Sequence, residues 1–305
     1  NQQDHANTWV PEEISMQADI EQWKSATALT PAERRLILWN LGFFATAESL
    51  TANNIVLAVY RHVTNPECRQ YLLRQAFEEA VHTDTFIYCC DSLALDPEEI
   101  YTMYQTIPSI AAKDEFVVQM TESLFDPTFT TDSIADIRKF LHDLVGYYVI
   151  MEGIFFYAGF AMMLALRRRN KMVGIGQQFE YIMRDESIHL AFGCELINAI
   201  KAENPGVWDD AFAAEIRALI IKAVELESIY AQDACPDGIV GMNARQFCQY
   251  VEYIADRRLE RIGLAKAFNV ENPLPWMSQA TDLNKEKNFF ETRVTEYQNA
   301  SSLQW

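Results

Sequence analysis

Basic side chains are scarce in this chain. Its 305 residues carry 25 Lys and Arg against 43 Asp and Glu, a formal charge of −18. That balance argues against direct nucleic-acid binding, which needs cations to neutralise phosphates. Six cysteines, at positions 68, 89, 90, 194, 235 and 248, form neither a C-x-x-C pair nor a zinc-like cluster, so they read as free thiols in a reducing cytosol. No signal peptide is visible, and no uncharged run is long enough to cross a bilayer. The most apolar stretch, 144–166, carries Glu152 near its middle, and an ionisable group there suits the interior of a bundle. A nucleotide-binding loop is also lacking. Gly174-Ile-Gly176 has no third glycine and no preceding strand, and reads as a helix break. The basic run Arg167-Arg-Arg169 reads as compensation for a helix dipole rather than a phosphate site. The chain begins at Asn1 rather than Met, which is compatible with a further segment upstream.

What is present is helical. Half the residues are hydrophobic, enough for a large core. Thr30-Pro-Ala-Glu33 is a capping box with Pro at the first helical position, and it opens a helix expected to run through Glu48 to about His62. Asn65-Pro66, Asp96-Pro97 and Ser133 start further helices, and another is expected from about Ser109 to Leu124. The Ser133 helix is expected to run through Glu152 to about Arg169. After the glycine break a long helix ends at Asn204-Pro205, and two more are expected over 209–233 and 243–262, with Gly263 as terminator. Beyond Gly263 the pattern is lost. The organisation expected is an N-terminal arm (1–29), a helical domain (30–263) and an extended C-terminal segment and tail (264–305), in which Leu303 and Trp305 read as anchors for a partner's groove.

One short word occurs twice: Glu79-Ala-Val-His82 and Glu186-Ser-Ile-His189. Residues three apart on a helix share a face, so each copy sets a carboxylate beside an imidazole. Each copy follows an isolated helical glutamate, Glu48 or Glu152, by a similar distance, and both of those sit among apolar or small residues. A lone carboxylate is costly to bury there, and metal cations remove the cost. Four helices then supply four carboxylates and two imidazoles, the donor set of ferritin-like di-iron and di-manganese bundles. Hard oxygen donors with two nitrogens suit iron or manganese. The fold class expected is all-α, a ferritin-like bundle around a dinuclear metal-carboxylate site. Asp185, beside Glu186, is the natural partner for the outer nitrogen of a ligating histidine. His5, His62 and His142 lack such company and read as surface or capping residues.

These residues resemble the small, radical-generating subunit of class I ribonucleotide reductase over nearly the whole chain. Trp9-Val-Pro-Glu-Glu13 is similar to a segment near that family's N-terminus. Phe77-Glu-Glu-Ala-Val-His82 and Arg184-Asp-Glu-Ser-Ile-His189 resemble its two ligand helices, and Asn288-Phe-Phe-Glu291 with Tyr297 resembles its partner-binding tail. The resemblance implies one metal site of Glu48, Glu79 and His82 and a second of Glu152, Glu186 and His189, bridged by Glu79 and Glu186. In most of the family a tyrosine four residues after the first ligand histidine holds a stable radical. Here that residue is Phe86, which has no O–H to lose, and the first ligand is Glu48 where common members carry Asp. Both departures resemble the chlamydial-type (class Ic) subgroup, as do Asn53-Asn-Ile-Val-Leu57 and Glu152-Gly-Ile-Phe-Phe-Tyr157.

That subgroup implies a mixed Mn/Fe cofactor assembled with O2, which itself stores the oxidising equivalent, with manganese in the site of Glu48, Glu79 and His82. A Mn2 or Fe2 cofactor, or a radical on Tyr148, is the alternative within the family. The implied relay runs through His82, Asp185 and Trp9, then Tyr297 on the tail, to a cysteine of the large subunit that reduces ribonucleotides, with Tyr181 helping electron delivery during activation. A cytoplasmic homodimer is expected. Two rival readings share the metal ligands: a ligand-binding Mn/Fe oxidase on the same scaffold, which has no use for Trp9 or the tail, and a ferritin-like storage protein, whose chain would be about half as long.

Overall fold

Helix starts follow the capping residues. In the computed structural model, which describes residues 8–50, 56–239 and 242–278, Thr30 N donates to Glu33 Oε2 at 2.8 Å and Glu33 N donates back to Thr30 Oγ1 at 3.2 Å. Asn65, Ser133, Asp209 and Asn243 each accept a backbone N–H three residues on, and Asp96 accepts one two residues on. Such caps satisfy amides that the helix cannot. The helices used below are α1 (Gln17–Lys24), α2 (Pro31–Leu50), α3 (Pro66–Leu93), α4 (Pro108–Met120), α5 (Ile134–Leu144), α6 (Tyr157–Arg167), α7 (Val173–Glu203), α8 (Asp210–Ala234) and α9 (Ala244–Arg261). Shorter helical pieces fill the connections, and an isolated bridge between Ile239 and Met242 is the sole β pairing among the described residues.

Four long helical stretches enclose the centre: α2, α3, the run from α5 to α6, and α7. Within the run from α5 to α6, residues 143–166 are buried and almost entirely apolar, as a helix inside a core should be, whereas the start of α5 is amphipathic, with Ile134 exposed. It is long and apolar enough to cross a membrane, but its most apolar stretch is buried inside the protein. All six cysteines are free thiols. Val10–Pro273 form one compact unit; among the described residues, Thr8 and Trp9 with residues 274–278 belong to a second. Within the first, α1 docks on the start of α7. Asp19 accepts Gly174 N at 3.0 Å and Ile175 N at 2.7 Å, so a carboxylate of the chain itself occupies that helix N-terminus.

Three expectations about the helices need correction. The break before α7 lies at 168–172, where Asn170 (φ 55°) and Met172 (φ 48°) adopt left-handed conformations, and the two glycines sit inside the first turn. Gly174 is required there by close approach, because a Cβ would stand 2.7 Å from Ser15 O. The Ser133 helix is not uniformly α-helical: Val145–Phe155 is a π-helical segment, and the α-helix that follows ends at Arg167. The expected 109–124 helix is interrupted at Thr121. The helix opened by Thr30 is described over Pro31–Leu50 and Val56–His62, and its expected continuity falls on 51–55, outside the described residues. His62 is half-buried, with its ring 5.2 Å from that of Phe129 and 5.1 Å from that of Phe140, whereas His142 does cap, its Nδ1 lying 3.1 Å from Met120 O at the end of α4.

Candidate metal centre

Each metal-binding word projects from one helix face, Glu79 and His82 from α3, Glu186 and His189 from α7. Glu48 comes from the last turn of α2 and Glu152 from the π-helical segment. All six are completely buried. Their donor atoms form two groups, Glu48–Glu79–His82–Glu186 and Glu79–Glu152–Glu186–His189, each within 4.8 Å. Glu79 and Glu186 belong to both. His82 Nδ1 is 3.1 Å from Glu186 Oε1 and 3.5 Å from Glu48 Oε2. His189 Nδ1 is 3.1 Å from Glu79 Oε1 and 3.4 Å from Glu186 Oε2.

The donors are positioned for cations. Both carboxylate oxygens of Glu48 and of Glu186, together with Glu79 Oε2, Glu152 Oε2 and His189 Nδ1, are buried and make no hydrogen bond among the described residues. Leaving so many polar atoms unmatched is costly. Burial pushes the carboxyl groups of Glu48 and Glu152 well above their usual range. Burial also opposes charge on His82 and His189, but the surrounding carboxylates prevail and hold both rings well above the ordinary histidine range. Two divalent ions would neutralise the four carboxylates and use the open lone pairs together. The residues therefore fit a dinuclear carboxylate/histidine metal site.

The outer layer is paired crosswise. His82 Nε2 is 3.4 Å from Asp185 Oδ2 on α7, and His189 Nε2 is 3.0 Å from Glu78 Oε2 on α3. An arginine of the same helix backs each carboxylate: Arg184 Nε donates to Asp185 Oδ1 at 3.0 Å, and Arg74 Nε donates to Glu78 Oε1 at 2.9 Å. Sequence reasoning placed Asp185 in this layer but missed Glu78, although the signal was present. Each word is preceded by an acid, Glu78-Glu79 and Asp185-Glu186. It also missed Gln75, whose Nε2 donates to Tyr147 OH at 2.9 Å and to Glu152 Oε1 at 3.1 Å, while its Oε1 accepts from Tyr148 OH at 3.0 Å.

The model of the family described as ribonucleotide reductase, small chain, matches residues 1–273. The chain belongs to that family. It is 60% identical over 300 residues to the ribonucleoside-diphosphate reductase subunit beta of Chlamydia pneumoniae, covering 98% of this chain and 86% of the relative. It is 32% identical to small chain 1 of the Saccharomyces cerevisiae reductase, covering 98% of this chain and 70% of the other. The solved ribonucleotide reductase R2 subunit from Clostridium botulinum superposes with a TM-score of 0.82 at 28% identity, covering 92% of this chain and 86% of that one. The helical core is thus the ferritin-like bundle of ribonucleotide reductase small subunits, and the protein is the small subunit of an oxidoreductase that works with a large subunit.

Within this small subunit, Phe86 lies one turn beyond His82 and is completely buried. Its ring stacks on Phe44 at 5.6 Å and meets Phe179 edge-on at 5.7 Å, so its surroundings are aromatic. Tyr181 is half-buried, and Arg184 lies over its ring at 5.1 Å, which joins that ring to the Asp185 carboxylate. Trp9 belongs to the second compact unit, and Tyr297 lies outside the described residues.

Proposed function

We propose that this small subunit holds one manganese and one iron ion, and that with O2 this pair, rather than a tyrosyl radical, stores the oxidising equivalent passed to the large subunit. The observation that carries the reading is Phe86, a fully buried phenyl ring enclosed by phenyl rings at the position next to the cluster. A ring without a hydroxyl cannot become a phenoxyl radical. Glu48, Glu79 and His82 would hold manganese, Glu152, Glu186 and His189 iron, with Glu79 and Glu186 shared. The ions, when bound, supply the one-electron oxidation.

The protein's own residues orient and insulate that chemistry. Asp185 fixes the Nε2 proton of His82 and turns Nδ1 inward. Arg184 balances the Asp185 charge and leads to Tyr181. From Asp185 the relay continues through Trp9, and Tyr297 carries it on the tail that docks to the large subunit. A cytoplasmic homodimer completes the reading. It is supported by the outer face of α3, where Leu73, Phe77 and Ile87 stand exposed at helical spacing.

Anomalous diffraction at the manganese and iron edges, together with electron paramagnetic resonance of the O2-treated protein, tests this. One ion of each kind per chain and no tyrosyl signal are expected. A tyrosyl radical, or full nucleotide reduction by protein containing one metal alone, would overturn it.

A further inference from the structure

The π-helical segment that carries Glu152 changes to an α-helical ladder at Tyr157, where Phe160 N already donates to Phe156 O at 2.9 Å. A change of hydrogen-bond step inside a helix disturbs the partners of nearby carbonyls and amides, and π-helical runs this long are rare. Three buried charged side chains, from three other helices, meet this junction. Lys113 of α4 donates Nζ to Phe155 O at 3.1 Å. Arg258 of α9 donates Nε to Gly153 O at 3.0 Å. Glu227 of α8 lies 2.6 Å from Lys113 Nζ. Phe43 and Tyr230 present ring faces to the Lys113 ammonium at 3.3 and 4.0 Å.

Bulk stability is a poor reason for this arrangement. Lys113 and Glu227 have no exposed surface, and a buried ion pair is often no better than apolar side chains of the same volume. What the pair does is specific to position. Lys113 holds a carbonyl at the end of the π-helical segment, and Glu227 holds the Lys113 ammonium in place. Glu152 stands three residues before Phe155 on that ladder. A slip of one residue would turn its carboxylate by roughly a quarter of a turn around the helix axis, away from the cluster.

We propose that Lys113 and Glu227, assisted by Arg258, are positioning residues that lock the register of Val145–Phe155 and so aim Glu152 into the metal site. The proposal rests on Glu152 being a ligand, and not on which metals fill the site.

The test uses the full chain with Mn(II) as probe, in four variants: Lys113→Met, Glu227→Gln, the double variant Lys113→Met/Glu227→Leu, and Glu152→Gln. Titration calorimetry counts bound ions, and amide hydrogen exchange follows residues 153–160. The double variant should keep a melting temperature close to that of the wild type. It should bind one ion with unchanged affinity and the second at least tenfold more weakly, with faster exchange at 155–159. Lys113→Met should act in the same direction. Glu152→Gln should weaken the same ion without altering exchange. Two ions at wild-type affinity with unchanged exchange in the double variant would overturn the lock. Should that variant not fold, Glu227→Gln decides, because the lock requires it to speed exchange at 155–159 and to weaken one ion. Normal binding of both ions by Glu152→Gln would instead remove the ligand assignment.

Discussion

Replacing Glu78 with Gln removes the charge facing His189 while keeping the size of the side chain, and Glu78→Leu removes the acceptor as well. His189 is completely buried and its Nε2 is 3.0 Å from Glu78 Oε2, so the leucine variant leaves a buried N–H without its partner. A hydrogen bond to a charged group contributes about 1.5–3 kcal/mol. At about 1.4 kcal/mol per decade this is roughly a ten- to hundredfold loss of affinity, the range seen when partners of metal-bound histidines are removed. Gln, whose amide oxygen still accepts, should cost about tenfold and Leu about a hundredfold. The loss should fall on one ion, since of the two ligand histidines Glu78 is hydrogen-bonded to His189. Asp185→Asn should weaken the other ion through His82, and by less, because that contact is 3.4 Å. Calorimetric titration of metal-free protein with Mn(II) separates the two steps. Unchanged affinity in Glu78→Leu, or the same ion weakened in both variants, would refute the crosswise pairing.

Phe86→Tyr adds a hydroxyl inside the aromatic cage of Phe44 and Phe179. Overpacking of this kind costs about 1–3 kcal/mol, so the melting temperature should drop by several degrees, and nucleotide reduction should not rise. Gly193→Ala would place a Cβ 2.1 Å from the Tyr148 ring, which must move off its bond to Gln75; a fall in thermal stability is expected, and a neutral result would contradict this packing. Burial raises the Glu33 carboxyl, but hydrogen bonds from Lys171 and Thr30 outweigh it and leave the pKa below the usual 4.5. A lowered folded pKa contributes stability above 4.5 that is lost as pH falls through the folded value, so Lys171→Met should flatten the acid limb of a stability–pH curve. Tyr297→Phe should leave metal loading intact and abolish turnover with the large subunit; retained turnover would remove Tyr297 from the relay.

The gathering of the two Glu-x-x-His words was legible because their physics is local. An i, i+3 spacing fixes two side chains on one face whatever the rest of the chain does, and Asp185 could be placed by adjacency to Glu186. Caps at Thr30, Asn65, Ser133, Asp209 and Asn243 were legible for the same reason. The π-helical segment was not. Nothing in Val145–Phe155 distinguishes it from an apolar α-helix, and the groups that meet its end, Lys113, Glu227 and Arg258, come from 42 to 105 residues away or are separated from it by two helices. The break before α7 was misplaced because glycine is the usual mark of left-handed backbone, whereas here Asn170 and Met172 adopt it and Gly174 serves close approach to Ser15.

The two halves of the centre repeat in their donors but differ in what surrounds them. Each proposed site has the same kinds of donors, carboxylates and one imidazole Nδ1, so a preference for unlike ions cannot come from donor type. In the proposed Mn/Fe reading, the next layer is where the two sites differ. Around His82 that layer is Phe86 with Phe44 and Phe179, and the fully buried Asp185 backed by Arg184. Around Glu152 and His189 it is Gln75, Tyr147 and the Arg74-backed Glu78. An apolar flank tolerates little local rearrangement and offers no proton, whereas a hydroxyl and amide flank can share hydrogen bonds with a ligand carboxylate as its charge changes. Under that reading, exchanging Gln75 or Phe86 should alter which ion each site prefers, whereas exchanging a ligand such as Glu152 should weaken one ion outright.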